Sequence, residues 1–96
     1  MITEIPALDT ILNTLSKKQC RMALHRINVL YVEQHCGRFC LWRGSLSQTR
    51  VAIIAEVSQS YISKVEAGDC SGIGYDALCR ILEVYRGLAV SDAEFG

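Results

Sequence analysis

The stretch Leu46-Ser47-Gln48-Thr49-Arg50-Val51-Ala52-Ile53-Ile54-Ala55-Glu56-Val57-Ser58-Gln59-Ser60-Tyr61-Ile62-Ser63-Lys64-Val65-Glu66-Ala67-Gly68 decides the fold. Val51, Ala52 and Ala55, then Val57, Ile62 and Val65, repeat at the spacing of two short amphipathic helices. Ser47 and Ser58 stand where a side-chain oxygen satisfies the free amides of a new helix, and Gly68 stands where a left-handed residue ends one. Two helices of under about ten residues, joined by a turn of roughly three or four, are predicted. Ala52 is expected at their crossing, where a larger side chain would push the axes apart. Val57, Ile62 and Val65 are the expected buried seam.

Outward from this stretch the pattern stays helical. After the turn Asp69-Cys70-Ser71-Gly72, the residues Tyr75, Leu78, Ile81, Leu82 and Tyr85 predict a last helix over about 74–86, followed by a small, acidic, fraying tail over 88–96. Upstream, Ser16 and Gln19 form a capping box, and Cys20, Ala23, Leu24, Ile27 and Tyr31 continue it as a helix. That helix is predicted to end near Cys36, with Gly37 as its left-handed terminator and Phe39, Leu41 and Trp42 packing back as a short turn or helix. One long helix through Gly37 is the alternative, because an interior glycine costs only about 1 kcal/mol. Ile5, Leu8, Ile11, Leu12 and Leu15, behind Pro6, predict a first helix over about 6–15. The expectation is one all-α domain over 1–96 with five or six helices: extra N-terminal helices over 1–36, a core over 38–86 and the tail over 88–96.

Composition bounds the function. Half the residues are apolar and 21% are charged, which sets the chain apart from disordered sequences. No apolar run approaches the roughly 18–20 residues of a membrane span. Five cysteines are an odd number and no basic-then-apolar leader opens the chain, so a cytoplasmic protein with reduced thiols is expected rather than a secreted disulfide scaffold. The net charge of zero hides a segregation: −2 over residues 1–15, +6 over 16–64 and −4 over 65–96. A basic middle block suits a polyanion-facing surface, and equally an ordinary set of solvated helix faces.

Ser47-Gln48 at the entrance of one helix, Val51-Ala52 inside it, Val57-Ser58 at the turn exit, Ile62-Ser63 in the next helix and Glu66-x-Gly68 at its end carry a resemblance. The stretch resembles the helix-turn-helix of the Cro/CI-type phage-repressor family, also called XRE-like or lambda-repressor-like, over about residues 38–86. It departs from that family at Glu56, where glycine is usual, and upstream, where Gly37 and Phe39-Cys40-Leu41-Trp42 intervene. The resemblance implies a lambda-repressor-like domain that inserts the helix starting near Ser58 into the major groove of double-stranded DNA. It places Gln59, Ser60, Ser63 and Lys64 at base edges, with Gln59 suited to adenine and Lys64 to guanine. Arg43, Ser47, Gln48, Arg50, Ser58 and Tyr61 would then meet phosphates and position without specifying. Tyr61 has two readings, stacking on a sugar or thymine methyl, and packing against the turn that follows. Glu66 would pair internally with an arginine, either Arg38 or Arg43. The implied activity is transcriptional regulation, as a repressor that binds a palindromic operator as a homodimer, with Ile5, Leu8, Leu12 and Leu15 as an interface stripe or a core stripe. The rival reading is a protein-interaction or antitoxin-type module of the same fold with a toxin or other protein partner.

Other signals carry less. His35-Cys36-x3-Cys40 offers zinc-ligand chemistry, but Cys70 and Cys79 do not supply the second close pair of a structural site. Cys36 and Cys40 lie one helical turn apart, which suits a redox pair or two small apolar fillers. Gly72-Ile73-Gly74 is too short for a nucleotide loop and follows no strand. No metal, cofactor or catalytic constellation is expected, and the chain reads as a non-enzyme.

Overall fold

The structure, a computed structural model, describes residues 17–95. They form four helices and no strand: α1 (Lys17–Arg43), α2 (Gln48–Ala55), α3 (Gln59–Glu66) and α4 (Tyr75–Phe95). The expected helix over 6–15, its apolar stripe and the Ser16 cap lie outside the described residues.

Two boundaries differ from the sequence expectation. α1 runs straight through Gly37, so the chain has one long helix where a helix and a separate Phe39–Trp42 turn were predicted. The reason lies in the core: Val32 before the glycine and Phe39 after it are both fully buried on one side of the helix, and only an unbroken helix keeps them there. Phe39 stacks on Tyr85 of α4 with centroids 4.5 Å apart and planes 13° from parallel. Termination passes to Gly44, at φ 58°, whose amide donates to the Leu41 carbonyl. α4 likewise passes Gly87, and the expected fraying tail is helical as far as Phe95. Leu88 and Ala89 are good helix formers that follow the glycine, and no proline intervenes.

The core draws on every helix: Val32 and Phe39, then Val51, Ala52 and Ala55, then Ile62 and Val65, then Leu78, Ile81, Leu82 and Tyr85, with Ile73 from the last loop. α4 lies along α1 in the same sense, His25 against Tyr75, Asn28 against Cys79 and Phe39 against Tyr85. Ala52 of α2 is buried in this core, 3% exposed. Among the described residues no helix is long and apolar enough to cross a membrane.

The turn from α2 to α3 is built on Glu56, in the left-handed region at φ 58° and ψ 45°. Its amide donates to the Ile53 carbonyl at 3.2 Å and that of Val57 to Ala52 at 3.0 Å, which satisfies the free carbonyls of the helix end. The end of α3 has the same bonding. Gly68 (φ 82°) donates to Val65 and Asp69 to Lys64. Glycine suits position 68 because of its φ, and a Cβ there would stand 3.2 Å from Cys36 Sγ, a tight contact that the sulfur would have to relieve by shifting.

Candidate nucleic-acid interface

α3 is apolar on one side and polar on the other. Ile62 and Val65 are fully buried, while Gln59, Ser60 and Ser63 are exposed along the outer side, with Ser58 just before them. The N-terminus of α2 lies beside this row. Ser47 caps α2 as expected, its hydroxyl accepting the Arg50 amide at 3.1 Å. Arg50 projects into solvent one turn into that helix.

Gln48 joins the two helices. Its side-chain carbonyl accepts from the Gln59 amide at 3.0 Å, and its own amide donates to Glu66 Oε1 at 3.0 Å. Glu66 is the hub beneath. Arg43 grips it with Nε to Oε2 at 2.8 Å and Nη2 to Oε1 at 3.2 Å, and the Tyr85 hydroxyl donates to Oε2. Of the two arginines proposed for this glutamate, the structure uses Arg43. The pair is largely shielded, with side chains 16% and 10% exposed. Desolvation pushes the Glu66 carboxyl up, but the bonds from Arg43, Tyr85 and Gln48 outweigh it and hold the group below its ordinary range. Bonding to Glu66 raises the Arg43 pKa against a smaller desolvation cost, and burial, followed by the bond to the carboxylate, pushes the Tyr85 phenol up.

Several of the predicted contact residues are not arranged as expected. Arg43 does not present its guanidinium outward, because Glu66 and the Leu46 carbonyl (2.8 Å) take its donors. Lys64 folds back from the row, and its ammonium donates to the Ser71 carbonyl. Tyr61 takes the packing alternative: half-buried, it reaches the Gly72 carbonyl at 3.4 Å in the turn that follows α3. Ser58 has extended cap geometry but makes no side-chain cap bond, because its hydroxyl pairs with that of Ser60 at 3.0 Å and its carbonyl accepts the Tyr61 amide. The structure therefore brings together Ser47, Gln48, Arg50, Ser58, Gln59, Ser60 and Ser63 and turns Arg43, Lys64 and Tyr61 elsewhere.

Two contributions escaped the sequence reading. Arg80 of α4 donates Nε to the Ala55 carbonyl at 3.0 Å and Nη2 to that of Glu56 at 3.5 Å, placing a cation on the carbonyl end of α2 and bracing the turn. Tyr85 reads in the sequence as one more apolar position of the last helix, yet its hydroxyl reaches Glu66. Neither had a local signal, since their partners lie 19 to 25 residues away in the chain.

Among the described residues no three His, Cys, Asp or Glu side chains converge as a metal site would require, and the five cysteines form no disulfide. Arg21 lies over the Tyr75 ring and Arg86 over Tyr31, so these two arginines are engaged where α1 and α4 meet. Comparison with known proteins finds no family model, curated protein or solved structure that matches the chain.

Proposed function

We propose that this chain is a sequence-specific double-stranded DNA-binding regulator of the Cro/CI-like, helix-turn-helix type, with α2 and α3 as the two helices of the motif. α3 enters the major groove, Gln59, Ser60 and Ser63 read base edges, and the amino end of α2 with Ser47, Gln48 and Arg50 sits on the flanking backbone. The protein contributes binding and no chemistry, and it represses by occupying its operator as a homodimer.

The observation that carries this reading is the Gln59–Gln48–Glu66–Arg43 chain. An exposed glutamine on a short helix ordinarily samples many rotamers. Here its amide is oriented by a second glutamine, itself fixed on a shielded ion pair, and such pre-ordering suits bidentate pairing with adenine. A solvated surface helix has no need of it.

The testing experiment is selection of bound duplexes from a randomised library at physiological salt. An enriched inverted repeat is expected, with half-sites about one helical turn apart. A folded protein that enriches no sequence would overturn the reading in favour of a protein-interaction module. One observation favours that alternative: Ile53 and Ile54 on the outer side of α2 are 63% and 53% exposed.

A further inference from the structure

The fold sorts the five cysteines by their neighbours. Cys20 stands sixteen residues before Cys36 on α1, roughly 24 Å along the axis. Cys79, half-buried on α4, accepts from the Asn28 amide at 3.4 Å. Cys40 is exposed and meets Arg43 Nη2 at 3.5 Å. Cys36, one turn earlier, turns toward the end of α3: its Sγ lies 3.2 Å from the point where a Cβ on Gly68 would stand. Glycine leaves no side chain between α1 and that backbone, and the chain reaches Cys70 two residues later. Cys36 and Cys70 are both half-buried and pack against the same core.

Two thiols are candidates for pairing with Cys36, and geometry separates them. Cys36 and Cys40 sit four residues apart on an unbroken helix, which sets their Cβ atoms about 5–6 Å apart and tilts both toward the helix N-terminus. A disulfide needs about 3.5–4.5 Å between Cβ atoms, so that pair closes only if α1 unwinds. Cys70 lies in the loop between α3 and α4, a segment that can adjust without breaking a helix. The Cys70 thiol also registers the neighbourhood of Cys36. Burial pushes its pKa up first, then the negative charge of Glu33, one turn before Cys36, then Asp69 and Cys36 itself.

We infer that Cys36 and Cys70 are a redox pair that peroxide closes into a disulfide, tying α1 to the loop that follows α3. The Cys36 thiolate attacks one oxygen of hydrogen peroxide, the O–O bond breaks, and the departing hydroxide takes up a proton as water, leaving a sulfenic acid. Cys70, held as the thiol, then attacks that sulfur. The S–S bond forms, the S–O bond breaks, and the hydroxyl leaves with the Cys70 proton as a second water. Two thiols lose two hydrogens and one peroxide becomes two waters. The bond closes a loop of about 35 residues that holds all of α2 and α3, which restricts the unfolded chain far more than the folded one. No part of this depends on DNA binding, and failure of either reading leaves the other standing.

The test is treatment of the dilute, folded full chain with hydrogen peroxide, followed by mass spectrometry and tryptic mapping without reductant. The intact mass is expected to fall by two hydrogens. Trypsin cuts after Arg26, Arg38, Arg43, Lys64 and Arg80, so Cys36 and Cys40 fall on different peptides, and Cys70 shares one with Cys79. The Cys36 peptide is expected to be joined to the Cys70 peptide, with fragmentation placing the bond on Cys70. Cys36→Ser and Cys70→Ser are each expected to abolish the mass loss, and Cys40→Ser to leave it intact, with circular dichroism confirming that each variant is folded. The oxidised wild type should melt at least about 5 °C higher than the reduced protein, and dithiothreitol should reverse the shift. A bond from Cys36 to Cys40 overturns the inference, as does an oxygen gained at Cys36 with no loss of hydrogens. A Cys36–Cys70 bond that lowers the melting temperature overturns it too, since the pair would then have closed only in an opened chain.

Discussion

Gln59 donates its side-chain amide to Gln48 at 3.0 Å, so an exposed polar group at the start of α3 is oriented by a residue of the preceding helix. In a DNA-binding protein this bond makes the specificity of Gln59 depend on Gln48. Gln48→Ala is expected to relax base preference at the same operator position as Gln59→Ala, costing about 1–2 kcal/mol there, and the double variant should lose little more than Gln59→Ala alone. Binding to duplexes carrying each of the four base pairs at that position checks the coupling. Additive losses would mean that the two glutamines act separately.

Glu66 gives the domain an acid limit. Its carboxyl titrates below the ordinary value of about 4.3, so its contribution is fully present above the unfolded-state pKa and is lost as pH falls through the lower folded value. Glu66→Gln leaves Arg43 without its counter-charge and is expected to cost roughly 1.5–3 kcal/mol at neutral pH. The difference between variant and wild type should start to shrink as pH falls below the unfolded-state value of about 4.3, where the unfolded chain binds the proton first, and is lost once the folded carboxyl protonates as well. Denaturant unfolding at a series of pH values checks this, and a difference that holds constant down to about pH 2 would argue against the ion pair as its source.

How far the sequence could be read follows from the range of the forces involved. The two short helices were legible because their signals are local: Ser47 and Gly68 act within four residues of themselves, whereas Glu56, which takes the left-handed turn conformation, read as a departure from the expected glycine. The course of α1 was harder to read, because Gly37 is a terminator by local preference and is overridden by Val32 and Phe39, which reach the core only on a continuous helix. Arg43 and Lys64 read as phosphate and base contacts because each is a cation beside the motif. Only the folded chain brings Glu66 and the Ser71 carbonyl within their reach.

The strain at Glu56 can be removed. A non-glycine residue at φ 58° costs roughly 1–2 kcal/mol, part of which glycine returns through the greater freedom of the unfolded chain. Glu56→Gly is therefore expected to stabilise the domain by about 0.5–1 kcal/mol and to leave the helix crossing unchanged. A loss of stability in chemical denaturation would show that the Glu56 side chain makes a compensating contribution.

Arg50 and Arg43 look alike in the sequence and should behave differently. Arg50 projects from the first turn of α2 into solvent, so Arg50→Ala is expected to leave thermal unfolding within about 0.5 kcal/mol of wild type while weakening binding to specific and random duplex alike. Loss of one phosphate contact should reduce the slope of log K against log salt by about 0.9 per protomer. Arg43→Ala instead strands the shielded Glu66 and releases Gln48, so it is expected to lower stability by roughly 1.5–3 kcal/mol and to reduce base preference more than the salt slope. Salt titrations of both variants on one specific and one random duplex separate the two roles. If Arg43→Ala flattened the salt slope as Arg50→Ala does, without loss of stability, Arg43 would be a phosphate contact after all.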